Sequence, residues 1–204
     1  MTSIDHYRTI AGPSEGLFKD RGSKFLSFAY PVSSEEEIKE LLEELRHKFH
    51  DARHHCYAYR LGMSGDVYRT NDDGEPSNSA GKPIHGQLVS YDLTNVLIVV
   101  IRYFGGTLLG VGGLINAYRS AASDAIEHAI ILTKLIKEIY MIRFGYPEMN
   151  EVMRIMKEEN PEDVKYEFET ECRITLSLPV SGKQRILDRL NIIENVKTEY
   201  LRTI

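Results

Sequence analysis

The stretch Asn95–Leu114, NVLIVVIRYFGGTLLGVGGL, holds the two features from which the fold is read. Asn95 to Tyr103 is a nearly continuous aliphatic and β-branched run. A strand with one wet face alternates apolar and polar residues. This one is apolar at both parities, so it predicts a strand buried on both faces. Gly105, Gly106, Gly110, Gly112 and Gly113 follow, and they predict a flexible turn into a long helix over about Leu114–Ile131. Without a Cβ these positions admit positive φ and close backbone approach. A helix N-terminus beside such a turn exposes unpaired N–H groups and a positive dipole end, where an anion or phosphate docks. The alternative is a tight connection packed against another element. The segment is neither a Walker loop, lacking Gly-Lys-Ser/Thr, nor a dinucleotide fingerprint.

Toward the N-terminus, Ala80 to Tyr91 presents Ile84, Leu88 and Tyr91 at helical spacing, and Asn71 to Ser79 is turn chemistry throughout. Strands are predicted at Cys56–Leu61 and Val67–Thr70 around a Gly62/Ser64-Gly65 turn. Ser33-Ser34 offers an N-cap to Glu35-Glu36-Glu37, and Ile38, Leu41, Leu42, Leu45 and Phe49 then give an amphipathic helix. Tyr7–Ile10, Leu17–Lys19 and Phe25–Pro31 alternate as strands, the last two separated by the Arg21-Gly22-Ser23 breaker. These elements predict a mixed sheet with its helices on one face.

Toward the C-terminus the rhythm changes. A strand at Ile136–Phe144 precedes a helix begun near Pro147, with Met149, Val152, Met153 and Met156 on one face. Strands at Val164–Phe168 and Arg173–Leu178 lead to a helix at Gly182–Leu190, with Ser181 as its N-cap, and a last strand at Val196–Leu201. This βαββαβ order is ferredoxin-like. The expected organisation is α+β: a domain over 1–133, a stiff linker near Leu132-Thr133-Lys134, and a ferredoxin-like domain over 134–204.

Composition limits the function. The chain has 204 residues, 42% hydrophobic and 27% charged, as a globular protein does. A net charge of -5 argues against coating nucleic acid by bulk charge, leaving a local basic patch to be found. The two cysteines, Cys56 and Cys172, have no neighbouring cysteine, so no disulfide framework or zinc spacing is present. No secretory signal or membrane-length apolar run is visible, and a cytoplasmic protein is expected.

Three constellations carry chemistry. The first is the Gly-rich turn itself. The second is Asp72-Asp73-Gly74-Glu75-Pro76, whose carboxylates either hold Mg²⁺ with a phosphate, work as an acid/base pair, or simply build a turn. The third is Arg53-His54-His55-Cys56-Tyr57-Ala58-Tyr59-Arg60. Strand alternation puts Cys56, Ala58 and Arg60 on one face and Tyr57 and Tyr59 on the other. His54 and Cys56 suit a base and nucleophile or zinc ligands, yet neither role has its further partners in the sequence. With Lys82, His85, Arg102 and Arg119 the same string suits a basic, aromatic-bearing groove for single-stranded nucleic acid. A buried Cys and scattered surface charge are the bland alternatives.

The strings Gly22-Ser23-Lys24-Phe25, His54-x-Cys56-x-Ala58-Tyr59-Arg60, Asp72-Asp73-Gly74-Glu75-Pro76 with Ala80-Gly81-x-Pro83, and Arg102-Tyr103-Phe104-Gly105-Gly106 through Leu109-Gly110-x-Gly112-Gly113-Leu114 to Ala117-Tyr118 together resemble the IMPACT/YigZ family. The C-terminal βαββαβ unit is similar to the extra domain of its bacterial two-domain branch. His55 stands where Asn is common, and Ser79 where Thr is usual. The resemblance implies a first domain with the ribosomal protein S5 domain 2-like fold, shared with elongation factor G and GHMP-type kinases. The family's eukaryotic members act in translational control through an additional RWD domain, for which this sequence has no room.

A translation-associated regulator binding RNA, the ribosome or a translation factor is therefore expected, with a phosphate-containing ligand among its possible partners. The binding residues expected are His54, Cys56, Tyr59, Arg60, Asp72, Asp73, Glu75, Pro76, Gly81, Arg102, Tyr103, Phe104, Gly105, Gly106, Gly110, Gly112 and Gly113. No catalytic residue, metal ligand or cofactor is assigned. The alternatives are a Mg²⁺-dependent enzyme acting on a nucleotide or phosphorylated small molecule, and a protein-interaction scaffold that binds no nucleic acid. The motif strings are expected to share one surface.

Overall fold

Val96 to Arg102 are all buried in the computed structural model, which describes residues 5–204. The chain forms two compact units, Tyr7–Lys134 and Leu135–Ile204, the latter with the described residues up to His6. In chain order the first unit contains β1 (His6–Ile10), β2 (Ser14–Asp20), β3 (Ser23–Pro31), α1 (Glu35–Lys48), β4 (His54–Leu61), β5 (Val67–Asn71), α2 (Gly81–Ser90), β6 (Val96–Tyr103), α3 (Gly110–Glu127) and β7 (Ile131–Leu135).

The five-stranded sheet has the order β2-β3-β6-β4-β5, and each neighbouring pair is antiparallel. The two parities of β6 bury against different layers. Val96, Ile98 and Val100 join α2 and α3 side chains such as Ile84, Leu88, Ala117 and Tyr118. Leu97, Val99 and Ile101 join Ile38 and Leu45 of α1. Each fully buried aliphatic side chain contributes about 1.5–3 kcal/mol, so both layers are needed. Two expectations are corrected here: the sheet is antiparallel rather than mixed, and helices cover both of its faces. The reason lies in β6, whose apolar residues at both parities would leave one face wet under a single helical layer.

Helix α1 is capped as its sequence suggests. Ser34 Oγ accepts from Glu37 N–H at 3.2 Å, and Glu37 Oε2 accepts from Ser33 N–H at 2.8 Å. Helix α3 is shifted from the expectation. It starts at Gly110 and ends at Glu127, so Gly110, Gly112 and Gly113 lie in its first turn instead of in a loop. Glycine costs about 1 kcal/mol in a helix, but burial of Leu114, Ala117 and Tyr118 outweighs that local preference. The residues expected to link the domains belong to β7, which pairs with β1.

The second unit contains β8 (Lys137–Phe144), a 3₁₀ turn (Tyr146–Glu148), α4 (Met149–Glu159), β9 (Glu162–Phe168), β10 (Cys172–Pro179), α5 (Lys183–Asn191) and β11 (Lys197–Thr203). Its antiparallel sheet runs β11-β8-β10-β9, the ferredoxin-like order. Ile142, Ile174 and Leu176 pack with Val152, Ile155, Leu187 and Leu190 in a core of its own. Asn160, left-handed at φ 42°, ends α4 by donating its N–H to Met156 O. Pro147 sits in the 3₁₀ turn ahead of α4, and Gly182, not Ser181, occupies the N-cap of α5 with no side-chain bond. The α+β class and the two fold types expected from the sequence stand. No helix among the described residues is long and apolar enough to cross a membrane.

Candidate functional site

Strand register builds the site. β4 pairs with β6 so that His54 faces Arg102, which puts the start of one strand beside the end of the other. The Gly-rich turn leaves β6 at that edge, and the 71–79 loop closes over it. Three carboxylates hold this loop, each through different partners. Asp72 Oδ1 accepts from Ala80 N–H and Gly81 N–H at 3.0 and 2.9 Å, and Oδ2 accepts from Asn78 N–H at 2.8 Å. It thereby satisfies amides at the start of α2, whose N-cap residue Ala80 has no side chain to do so. Asp73 Oδ2 accepts from His55 N–H at 2.7 Å, and its Oδ1 lies 3.0 Å from Arg46. Glu75 Oε1 accepts from Arg102 Nη1 at 2.6 Å and from Tyr118 Oη at 2.8 Å.

These partners decide what the loop does not do. Among the described residues there is no group of three His, Cys, Asp or Glu placed to hold a metal, because the carboxylates diverge. The three carboxylates therefore do not share one cation site in this arrangement. Cys56 is also spoken for: its Sγ lies 3.0 Å from Asp72 O and 3.4 Å from Tyr118 Oη. Burial pushes its thiol far above the usual range, which removes the thiolate a nucleophile needs. Burial likewise pushes the Tyr118 hydroxyl up. His54 Nδ1 lies 2.8 Å from Asp73 O, a carbonyl that only accepts, so Nδ1 carries the proton.

Between these elements lies a cavity of about 430 Å³. Arg53, His54, Glu75 and Arg102 form its polar wall, and Phe104, Leu108, Leu109, Val111 and Leu114 form the apolar one. Phe104 is 45% exposed and Leu108 81%, an unusual cost for large apolar side chains at a rim. Gly110, the first residue of α3, also lines the cavity. The α3 N-terminus has neither a side-chain cap nor an acidic residue in its first turn, so its positive end is uncompensated. Arg53 is exposed and makes no ion pair among the described residues. The Arg102 guanidinium lies between the Phe25 and Phe104 rings, 5.5 and 5.6 Å from their centroids.

Gly105 fixes the turn. Its N–H donates to Ser23 Oγ at 3.2 Å, and a Cβ placed there would come within 1.9 Å of Gly22 C. Only glycine allows the β6–α3 turn to lie against the start of β3.

His54, Glu75, Pro76, Arg102, Phe104 and Gly110 thus meet at one cavity, with Gly105 and Gly106 in the turn beside it. Gly112 and Gly113 continue the first turn of α3, and Cys56, Asp72 and Asp73 hold the loop from behind. The other residues singled out lie elsewhere. Arg60 is at the far end of β4, six residues or roughly 20 Å from His54, where it binds Leu93 O, Gly65 O and Ser64 O. Tyr59 packs on the α1 side, and its hydroxyl donates to Glu35 at 2.6 Å; burial, with this bond, holds its pKa up to about 12. Tyr103 belongs to that same side and donates to Asp51 at 2.8 Å. Gly81 lets α2 approach the Asn71 backbone, and His85 stacks on Tyr68.

Arg53, Leu108, Leu109 and Tyr118 stand in the quoted stretches of sequence but not among the binding residues expected. The available signal was two consecutive leucines inside a Gly-rich turn, where solvated loop residues are the norm.

The Impact N-terminal domain family matches residues 21–126, which include every cavity-lining residue named above. Over 161 residues the chain is 35% identical to an IMPACT family member in the pol 5' region of Thermus thermophilus, covering 79% of this chain and 87% of the relative. The IMPACT family member YigZ of Escherichia coli is 28% identical over 173 residues, 84% of this chain and 85% of the relative. A crystal structure of a hypothetical protein superposes with a TM-score of 0.71 at 24% identity, covering 98% of each chain. That likeness shows the fold.

Proposed function

The chain belongs to the IMPACT family, and on that premise we propose that it is a translation-associated binding protein holding single-stranded RNA at the cavity of its first unit. One observation carries this reading. The cavity joins a polar wall that carries one arginine unpaired among the described residues, Arg53, to an exposed apolar wall, in a chain whose net charge is -5. Single strands are held by such pairings: cations follow the phosphates while aromatic and apolar groups take the unstacked bases. Arg53 and the α3 N-terminus supply the phosphate side, and Phe104 with the leucine rim supplies the base side. The association with translation rests on membership of the family.

The test is a titration of the full chain with a short fluorescent single-stranded RNA at several salt concentrations. Counterion release makes affinity fall steeply with salt, and Arg53→Ala is expected to lower that log–log slope by about one. Arg53 is the informative position because it is exposed, whereas Arg102 is already paired with Glu75. Absence of RNA binding at low salt would sink the reading and leave a protein-interaction scaffold in its place.

A further inference from the structure

Two charged side chains at the cavity are nearly buried, yet the protein uses only part of each. Glu75 has a side chain 4% exposed, and both of its bonds, from Arg102 and Tyr118, converge on Oε1. No bond among the described residues reaches its Oε2. Arg102, 7% exposed, gives Nη1 to Glu75 and leaves Nε buried without an acceptor. His54, on the same wall, donates from Nδ1 to Asp73 O, and in that tautomer Nε2 is the acceptor. Of these atoms only Arg102 Nε is buried without a partner, whereas Glu75 Oε2 and His54 Nε2 are reached by solvent, so a ligand in the cavity can take the place of water on both.

The set states what that ligand must bring. It needs two donors for Glu75 Oε2 and His54 Nε2, and an acceptor for the Arg102 guanidinium. It also needs a flat body to lie against Phe104, and an anionic group within reach of Arg53. A volume of about 430 Å³ is of small-molecule size, not of a polymer's. Resting on the RNA reading above, we propose that this cavity takes one unstacked guanine of the strand. Guanine carries its O6 acceptor beside two adjacent donors, N1–H and the N2 amino group. Adenine and cytosine each offer one amino donor beside acceptors, and uracil one N–H between two acceptors. None of those three sets donors on two adjacent atoms beside an acceptor, as guanine does.

The proposal is tested on the full wild-type chain with uridine hexamers that differ at one central position, bearing guanine, hypoxanthine or adenine. Fluorescence anisotropy at low salt is expected to show the guanine strand binding about tenfold more tightly than the adenine strand. The hypoxanthine strand, which lacks only the N2 amino group, is expected to lose several-fold relative to guanine. His54→Ala removes one acceptor and is expected to shrink the guanine-over-hypoxanthine ratio, with thermal melting as the check that the chain remains folded. Equal affinity for the three strands overturns the guanine assignment while the RNA reading stands. An unchanged ratio in a folded His54→Ala chain overturns the assignment too. No binding to any of the strands overturns the RNA reading itself, and the inference with it.

Discussion

Glu75 Oε1 and Arg102 Nη1 meet at 2.6 Å although the two residues lie in different elements, one in the 71–79 loop and one near the end of β6. Both side chains are almost fully buried, and Tyr118 of α3 donates to the same carboxylate oxygen. The pair therefore ties three parts of the first unit together at the floor of the cavity. Its charges are out of water, so each depends on the other.

Removing one member should cost far more than removing both. Arg102→Ala or Glu75→Ala leaves an uncompensated buried charge and is expected to lower stability by about 3–5 kcal/mol. Arg102→Met combined with Glu75→Leu keeps the volume without the charge and is expected to cost clearly less than the sum of the single changes. Urea unfolding of the four chains measures this. Additive losses would mean that the two residues do not act as a pair.

His55 gives the first unit a pH dependence. It is 5% exposed with Nε2 unpartnered, and burial, reinforced by Arg46, holds its pKa below the usual histidine value despite Asp73 nearby. In the unfolded chain it titrates near 6.5. Below that pH the unfolded state takes up a proton that the folded state resists, so stability is present above about 6.5 and is lost as pH falls. His85, also held low by burial, acts in the same direction. Urea midpoints between pH 7.5 and 5 are expected to fall, and His55→Asn to reduce the slope. A midpoint constant over this range would refute the account.

The second unit has its own core and a four-stranded sheet built entirely from its own strands, which together predict independent folding. A fragment Leu135–Ile204 is expected to give dispersed amide resonances and protected amides in β8 and β10. Arg189, which pairs with Glu158 and Glu159 of α4, links the two helices of this unit. Arg189→Ala is expected to leave the fragment folded with little change in stability, since these ion pairs are partly solvated. Undispersed spectra would show that the fragment needs the rest of the chain.

What the sequence determined by itself was whatever local interactions encode. The period of Ile38, Leu41, Leu42 and Leu45 defined α1, Ser34 marked its start, and the order of periods after Lys137 defined the ferredoxin-like unit. Apolar residues at both parities of Val96–Ile101 announced a strand buried on both faces. The tertiary structure decided the rest, because it turned on pairing between distant segments. Arg60 and Arg102 look alike in sequence, yet the β4–β6 register sets His54 against Arg102 and sends Arg60 to the opposite end. Three glycines read as loop until packing of Leu114 and Tyr118 drew them into α3. Asp72, Asp73 and Glu75 are near neighbours in the chain, but α2, His55 and Arg102 pull their carboxylates apart. Periodicity and capping act within a few residues of chain, whereas the burial of a charge depends on which partner the fold delivers to it.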